Sequence, residues 1–153
     1  MPGSEKALNS LHPAIRGWFL KTYGKPSPPQ RLGWPVIAQG KSMLLLAPTG
    51  SGKTLTAFLQ CLSYLYQAYE DGERLDDGVR VLYISPLKAL NNDIYRNLEQ
   101  PLQAIDGEAK TMGMDLPEIK AAIRTGDTSS SERRSILKKN HRIFLLRRLN
   151  PLP

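Results

Sequence analysis

At 153 residues, with 41% hydrophobic and 23% charged side chains, the chain has the material for one modest core and no more than one domain. No run of about eighteen apolar residues offers a membrane span, and Met1-Pro2-Gly3-Ser4-Glu5-Lys6 lacks the basic-then-apolar profile of a signal peptide, so a soluble, cytoplasmic protein without a membrane partner is expected. The formal charge of +7 is uneven: residues 1–131 carry 14 basic against 13 acidic groups, and the surplus falls in residues 132–153, so the total is poor evidence for a nucleic-acid partner.

Leu8, Leu11, Ile15, Trp18 and Phe19 recur at helical spacing and predict one helix that ends near Gly24, before the breaker-rich Lys25-Pro26-Ser27-Pro28-Pro29. A second short helix is expected over residues 30–39, with Leu32, Val36 and Ile37 apolar and Pro35 inside it. Ser42, Met43, Leu44, Leu45 and Leu46 read as a short buried strand.

That strand leads into Ala47-Pro48-Thr49-Gly50-Ser51-Gly52-Lys53-Thr54, and behind it Leu55, Phe58, Leu59, Leu62 and Leu65 mark an amphipathic helix to about Tyr69. Strand, glycine loop and helix in this order are the context of a phosphate-binding loop. Gly50 and Gly52 let backbone N–H groups curl around a polyphosphate, and the helix beginning near Lys53 aims its positive end at the same anion. Lys53 is expected to reach the β- and γ-phosphates, and the Thr54 hydroxyl to hold the Mg²⁺ that bridges them. The strict pattern has Gly where Ala47 stands, a mild departure. Cys61, on the apolar helix, reads as a small buried side chain in a reducing compartment.

Residues 70–78 form a charged connection with two glycines, and residues 79–84, β-branched and mostly apolar, read as a parallel strand stopped by Pro86. Leu87, Leu90, Ile94, Leu98 and Leu102 mark a helix that ends around Ile105-Asp106-Gly107. Residues 119–123 are a third strand candidate, and residues 129–139 a helix with Ser129 and Glu132 as its capping box. Alternating strands and helices imply an α/β fold with a parallel sheet flanked by helices and the phosphate loop at its carboxyl edge. His12 and His141 have no second ligand nearby and receive no metal role.

Four segments in fixed order carry a family resemblance: Pro28-Pro29-Gln30-x-x-Gly33-Trp34-Pro35, residues 47–54, residues 83–93 (Tyr83-Ile84-Ser85-Pro86-Leu87-Lys88-Ala89-Leu90-Asn91-Asn92-Asp93), and Arg124-Thr125-Gly126-Asp127-Thr128. Together they resemble the front of a superfamily-two helicase of the Lhr-like (large helicase-related) DEAD/DEAH-box group, over residues 8–140. The resemblance implies part of a RecA-like domain that binds ATP and Mg²⁺ and touches nucleic acid, with DNA favoured as the track. Gln30 resembles the family's adenine-reading glutamine, whose carboxamide can donate to N7 and accept from the N6 amino group, a pairing guanine cannot satisfy. Trp18 and Phe19 are candidates to stack on the base, although their spacing also suits core positions. Pro86 and Lys88 resemble a motif that meets the nucleic-acid backbone through a helix N-terminus and a lysine, and Thr125, Gly126 and Thr128 resemble a second strand-contacting loop. Arg133, Arg134, Lys138 and Lys139 give the last helix a basic face, a pattern more common on a solvated surface.

The family's acidic Walker B box and its second RecA-like domain have no counterpart in the sequence, since Asp76-Asp77 lies in the charged connection before the second strand. The expected organisation is an N-terminal helix and Pro-rich turn over 1–27, the first part of helicase domain 1 over 28–140, and a foreign tail over 141–153. On this reading the chain is an amino-terminal segment that binds ATP without efficient hydrolysis or unwinding. The competing classes are a small complete P-loop nucleotide-binding enzyme such as a kinase, and a nonfunctional product of a disrupted helicase gene. The tail carries Arg142, Arg147 and Arg148 where a covered strand is expected, and its codons, read one base earlier, permit PPDIFITTPESLT, which resembles the strand and Thr-Pro-Glu motif of the family. A frayed or poorly docked tail is expected, not a nucleic-acid patch.

Overall fold

The computed structural model describes residues 2–75, 79–85, 88–124, 128–131, 134 and 144–148, which fall into two compact units. The first comprises residues 1–72 and 104–116, the second residues 73–103 and 117–153.

In the first unit the single N-terminal helix expected from periodicity is two, α1 (Pro2–Asn9) and α2 (Pro13–Tyr23). The break has a local cause. Pro13 has no N–H to donate and is accepted only in a first turn, so the chain turns a corner and restarts there. His12 caps the new helix: its Nδ1 accepts the Ala14 N–H at 3.3 Å, and its own backbone N–H donates to Ser63 Oγ at 3.0 Å. Gly24, with φ of 73°, ends α2 in the left-handed region and returns its N–H to the Leu20 carbonyl.

Helix α3 (Pro28–Ile37) starts earlier than the two prolines suggested, because both are tolerated in its first turn. Ser27 stands at its N-cap, and the Ser27 backbone N–H donates to Gln30 Oε1 at 2.8 Å as part of a capping box. Helix α4 (Lys53–Glu70) then buries Phe58, Leu59, Leu62, Leu65 and Tyr66 along one stripe, against Ile15, Phe19 and Trp34 in the core of this unit. The fit between α3 and α4 is close. The indole N–H of Trp34 donates to the Thr56 carbonyl at 3.0 Å, Phe19 meets Trp34 edge-on at 5.1 Å, and Gly33 leaves room for the Thr56 methyl. Helix α5 (Lys88–Thr111) runs through Pro101 and Gly107, beyond its expected end. Its last turns bring Ile105 and Ala109 into the core of the first unit, where Glu108 pairs with Lys21 at 2.6 Å. Burial, with the charge of Asp106, pushes the Tyr66 phenol well up from its ordinary value, and burial also raises the Cys61 thiol, which keeps both protonated.

The second unit is built on three parallel strands, β1 (Val81–Ser85), β2 (Ala121–Arg124) and β3 (Phe144–Arg148), in the order β1-β3-β2. Leu75, Leu98, Ile119 and Ala122 are buried here. Two expectations need correction. Residues 42–46 join no strand among the described residues, and Leu44 and Leu46 stand 82% and 83% exposed, so this apolar run lacks the lateral partners that would bury it. The tail, expected to fray, supplies the middle strand over 144–148, because a run of Phe144, Leu145 and Leu146 suits a strand paired on both edges. Of the expected helix over 129–139, residues 130, 131 and 134 are helical, residue 129 is not, and the rest lies outside the described residues, as does His141.

The Gly33 contact gives a test of the α3–α4 fit. An added Cβ at Gly33 would stand 2.8 Å from Thr56 Cγ2, inside the van der Waals limit and against a buried side chain. Gly33→Ala is expected to destabilise the fold by about 1–3 kcal/mol, despite the better helix propensity of Ala, as read from urea denaturation.

Candidate functional site

The loop over residues 47–54 has the conformation its glycines predict. Gly50 and Gly52 sit at φ of 78° and 91°, in the left-handed region where a side chain is strained, and Gly52 serves as the N-cap of α4. The Ser51 N–H donates to the Pro48 carbonyl at 3.3 Å, closing a tight turn. Gly52 O accepts both the Thr56 N–H at 2.9 Å and the Thr56 hydroxyl at 2.8 Å, which pins the first turn of α4. The remaining N–H groups of that turn have no acceptor within a helix, so they and the helix dipole present positive potential at the loop.

Lys53 folds back over the loop. Its ammonium donates to the Ala47 carbonyl and, at 2.6 Å, to the Pro48 carbonyl. Those partners are neutral, and phosphate oxygens would form stronger, charge-assisted bonds with the same ammonium. Thr54 is exposed with its hydroxyl available, and Ser51 Oγ is buried with no hydrogen-bond partner among the described residues. An orphaned hydroxyl inside a glycine loop is a position where a ligand oxygen would relieve an unpaired group.

Gln30 lies against this loop, 5% exposed. Its Oε1 takes the Ser27 N–H, and its Nε2 lies where a Cβ on Gly52 would come within 3.0 Å. Capping and base reading do not exclude each other, because the carboxamide oxygen has a second lone pair and Nε2 carries two N–H groups. Sequence reasoning missed Ser27, whose hydroxyl donates to the Ser51 carbonyl at 2.9 Å and so ties the start of α3 to the loop. The signal was present as Ser27-Pro28-Pro29-Gln30, a Ser-x-x-Gln capping box. It missed Tyr23 too. Trp18 and Phe19 are buried, whereas Tyr23, which meets Trp18 edge-on at 5.8 Å and Phe19 at a tilt at 5.1 Å, is 51% exposed and four residues ahead of Ser27.

The residues expected to meet nucleic acid belong to the second unit. Its strands are parallel, so the carboxyl ends of β1 and β2 share one edge of the sheet; Lys88 opens α5 after β1, and Thr128 follows β2. Pro86, Thr125 and Gly126 lie outside the described residues. Among the described residues no group of three or more His, Cys, Asp or Glu side chains could hold a metal ion, and no helix is long and apolar enough to cross a membrane.

A family model for DEAD/DEAH box helicases matches residues 27–147. The chain is 47% identical over 141 residues to the ATP-dependent helicase Lhr-Core protein 2 of Thermococcus barophilus, covering 92% of this chain and 16% of that protein. It is 51% identical over 135 residues to the ATP-dependent helicase Lhr-Core of Methanothermobacter thermautotrophicus, covering 88% of this chain and 15% of that one. Among solved structures it is similar to Mycobacterium smegmatis helicase Lhr bound to ssDNA and AMP-PNP, with a TM-score of 0.80 and 36% identity over 92% of this chain and 17% of the other. The chain thus spans about a sixth of the length of these relatives.

Gly52 offers a test of the loop geometry that needs no ligand. Gly52→Ala combines a φ of 91° with a Cβ 3.0 Å from Gln30 Nε2, and is expected to lower stability by about 1–2 kcal/mol in thermal or urea unfolding. Gly50→Ala, with an open surrounding at its Cβ, should show the backbone strain alone.

Proposed function

The chain belongs to the DEAD/DEAH box helicase family, and from that premise we propose that it is the ATP-binding segment of an Lhr-type nucleic-acid helicase. The observation that carries this reading is the left-handed pair Gly50 and Gly52, closed by Lys53 at the N-terminus of α4 and seated against Ser27 and Gln30. Ala47, Pro48, Thr49, Gly50, Ser51 and Gly52 would wrap the polyphosphate, Lys53 would leave its two carbonyl partners for the β- and γ-phosphates, and Thr54 would ligate Mg²⁺. The orphaned Ser51 hydroxyl fits such an anion. Gln30 would read adenine with the groups that capping leaves free, and Tyr23 supplies an exposed ring on which a base can stack.

The completed fold of this segment is RecA-like in this proposal. Pro86, Lys88, Thr125, Gly126 and Thr128 would meet the phosphates of a single strand or duplex, DNA by preference, from the carboxyl edge of the sheet. A handful of phosphate contacts gives weak, salt-sensitive binding. The activity of the longer relatives needs more than this chain holds. In-line phosphoryl transfer depends on charges placed on both sides of the nucleotide, and the sequence has no Asp-Glu pair on a strand to position Mg²⁺ and water.

Mg-ATP should raise the Tm of the purified chain, by about 2.7 kcal/mol of apparent stability at a hundredfold excess over Kd. Lys53→Ala should abolish that shift, and an equal shift in the variant would remove the phosphate loop from the account. In a phosphate-release assay, ATP turnover should stay at the no-enzyme background with and without single-stranded DNA. Turnover stimulated by the DNA and lost in Lys53→Ala would show that this chain holds a complete catalytic centre.

A further inference from the structure

Strand β3 and its own sequence disagree. It is the middle strand of the sheet, hydrogen-bonded along both edges, and such strands in parallel sheets are near-continuous apolar runs. Phe144, Leu145 and Leu146 comply; Arg147 and Arg148 do not. The register makes the conflict specific, because Arg147 is paired with Ile84 on one side and with Arg124 on the other, and Arg148 with Ser85. Arg124 and Arg147 are thus register partners on neighbouring parallel strands. Of the flanking strands, β1 carries no charged residue and β2 carries one, Arg124 at its last position.

We propose that residues 141–153 are translated one base out of the frame that encodes residues 1–140. The genetic code makes this a sharp statement even without the gene. In the frame one base earlier, each codon joins the third base of the preceding codon to the first two bases of its own. At positions 147 and 148 such a codon ends in CG or AG, which encodes Ser, Pro, Thr, Ala, Gln, Lys or Glu, or as TAG a stop, and never Arg. At position 144 it is Phe, Leu or Ile, and at 145 and 146 an apolar residue is available each time. The other frame therefore removes both arginines from β3 whichever synonymous codons the gene uses, and it has codons that keep the apolar half.

The break also has a chemical reason to fall where it does. Lys138, Lys139 and Asn140 all have codons beginning AA, so six to eight of the nine bases just ahead of it are adenine. A strand that slips on a homopolymer re-pairs without a mismatch, which is how single bases are lost. None of this depends on ATP binding, so the inference stands or falls separately from the proposed function.

Resequencing the gene across codons 135–155 is the direct test. The frame one base back should remain open for on the order of 100 codons, the scale of a domain, whereas a stop codon within that span overturns the proposal. A second measurement uses the protein as it is. R147T/R148T should raise its Tm by about 3 °C or more, the scale of removing one unfavourable contact from a chain this size, and an unchanged or lowered Tm would mean that the arginines belong in the strand.

Discussion

The contact of α3 with the first turn of α4 is the constraint on which the first unit depends. Three bonds converge there: Ser27 to the Ser51 carbonyl, Trp34 to the Thr56 carbonyl, and the Thr56 hydroxyl to the Gly52 carbonyl. Each ends on a backbone oxygen at or beside the glycine loop, so the loop is held in part by its carbonyls. Only a glycine at position 33 lets the two helices approach closely enough for the set to form together. The helix that carries Gln30 is therefore also what fixes the loop, and a sequence change in α3 is felt at the glycine loop without touching it.

The sequence made the loop legible down to the residue, because its chemistry is local: two glycines, a lysine and a threonine at fixed spacing, between an apolar run and an amphipathic helix. Helix α4 followed from periodicity for the same reason. Failures came where a long-range partner decides the outcome. Leu44 and Leu46 look like a buried strand by composition, yet a strand is a pairing between segments, and periodicity carries no information about whether the neighbours exist. Pro13 was a different kind of miss, a first-turn proline hidden in an apolar pattern long enough to suggest one helix. Gln30 shows the limit of motif reading, since the same carboxamide that suits adenine is committed through one lone pair to its own helix.

Membership of the DEAD/DEAH box family and the physical reading of the loop meet in the same residues, and they are independent arguments. The family match rests on residue identity along 27–147, whereas the loop reading rests on φ angles, a lysine folded onto two carbonyls and a buried hydroxyl without a partner. The likeness is weaker in what it says about mechanism. The chain spans about a sixth of the length of these relatives, and the match speaks for that part alone.

The exposed run beside the loop has a consequence for the chain as a colloid. Leu44 and Leu46 lie in an extended stretch that no strand covers among the described residues, and the charge nearest to them in sequence is Lys41. An extended, apolar segment with free edges is a template for another copy of itself, and a single flanking lysine is a thin gatekeeper against that. Concentration, rather than temperature, then sets the working range of such a molecule: dilute chains stay apart, and crowded ones meet first through the residues that lead into the phosphate loop.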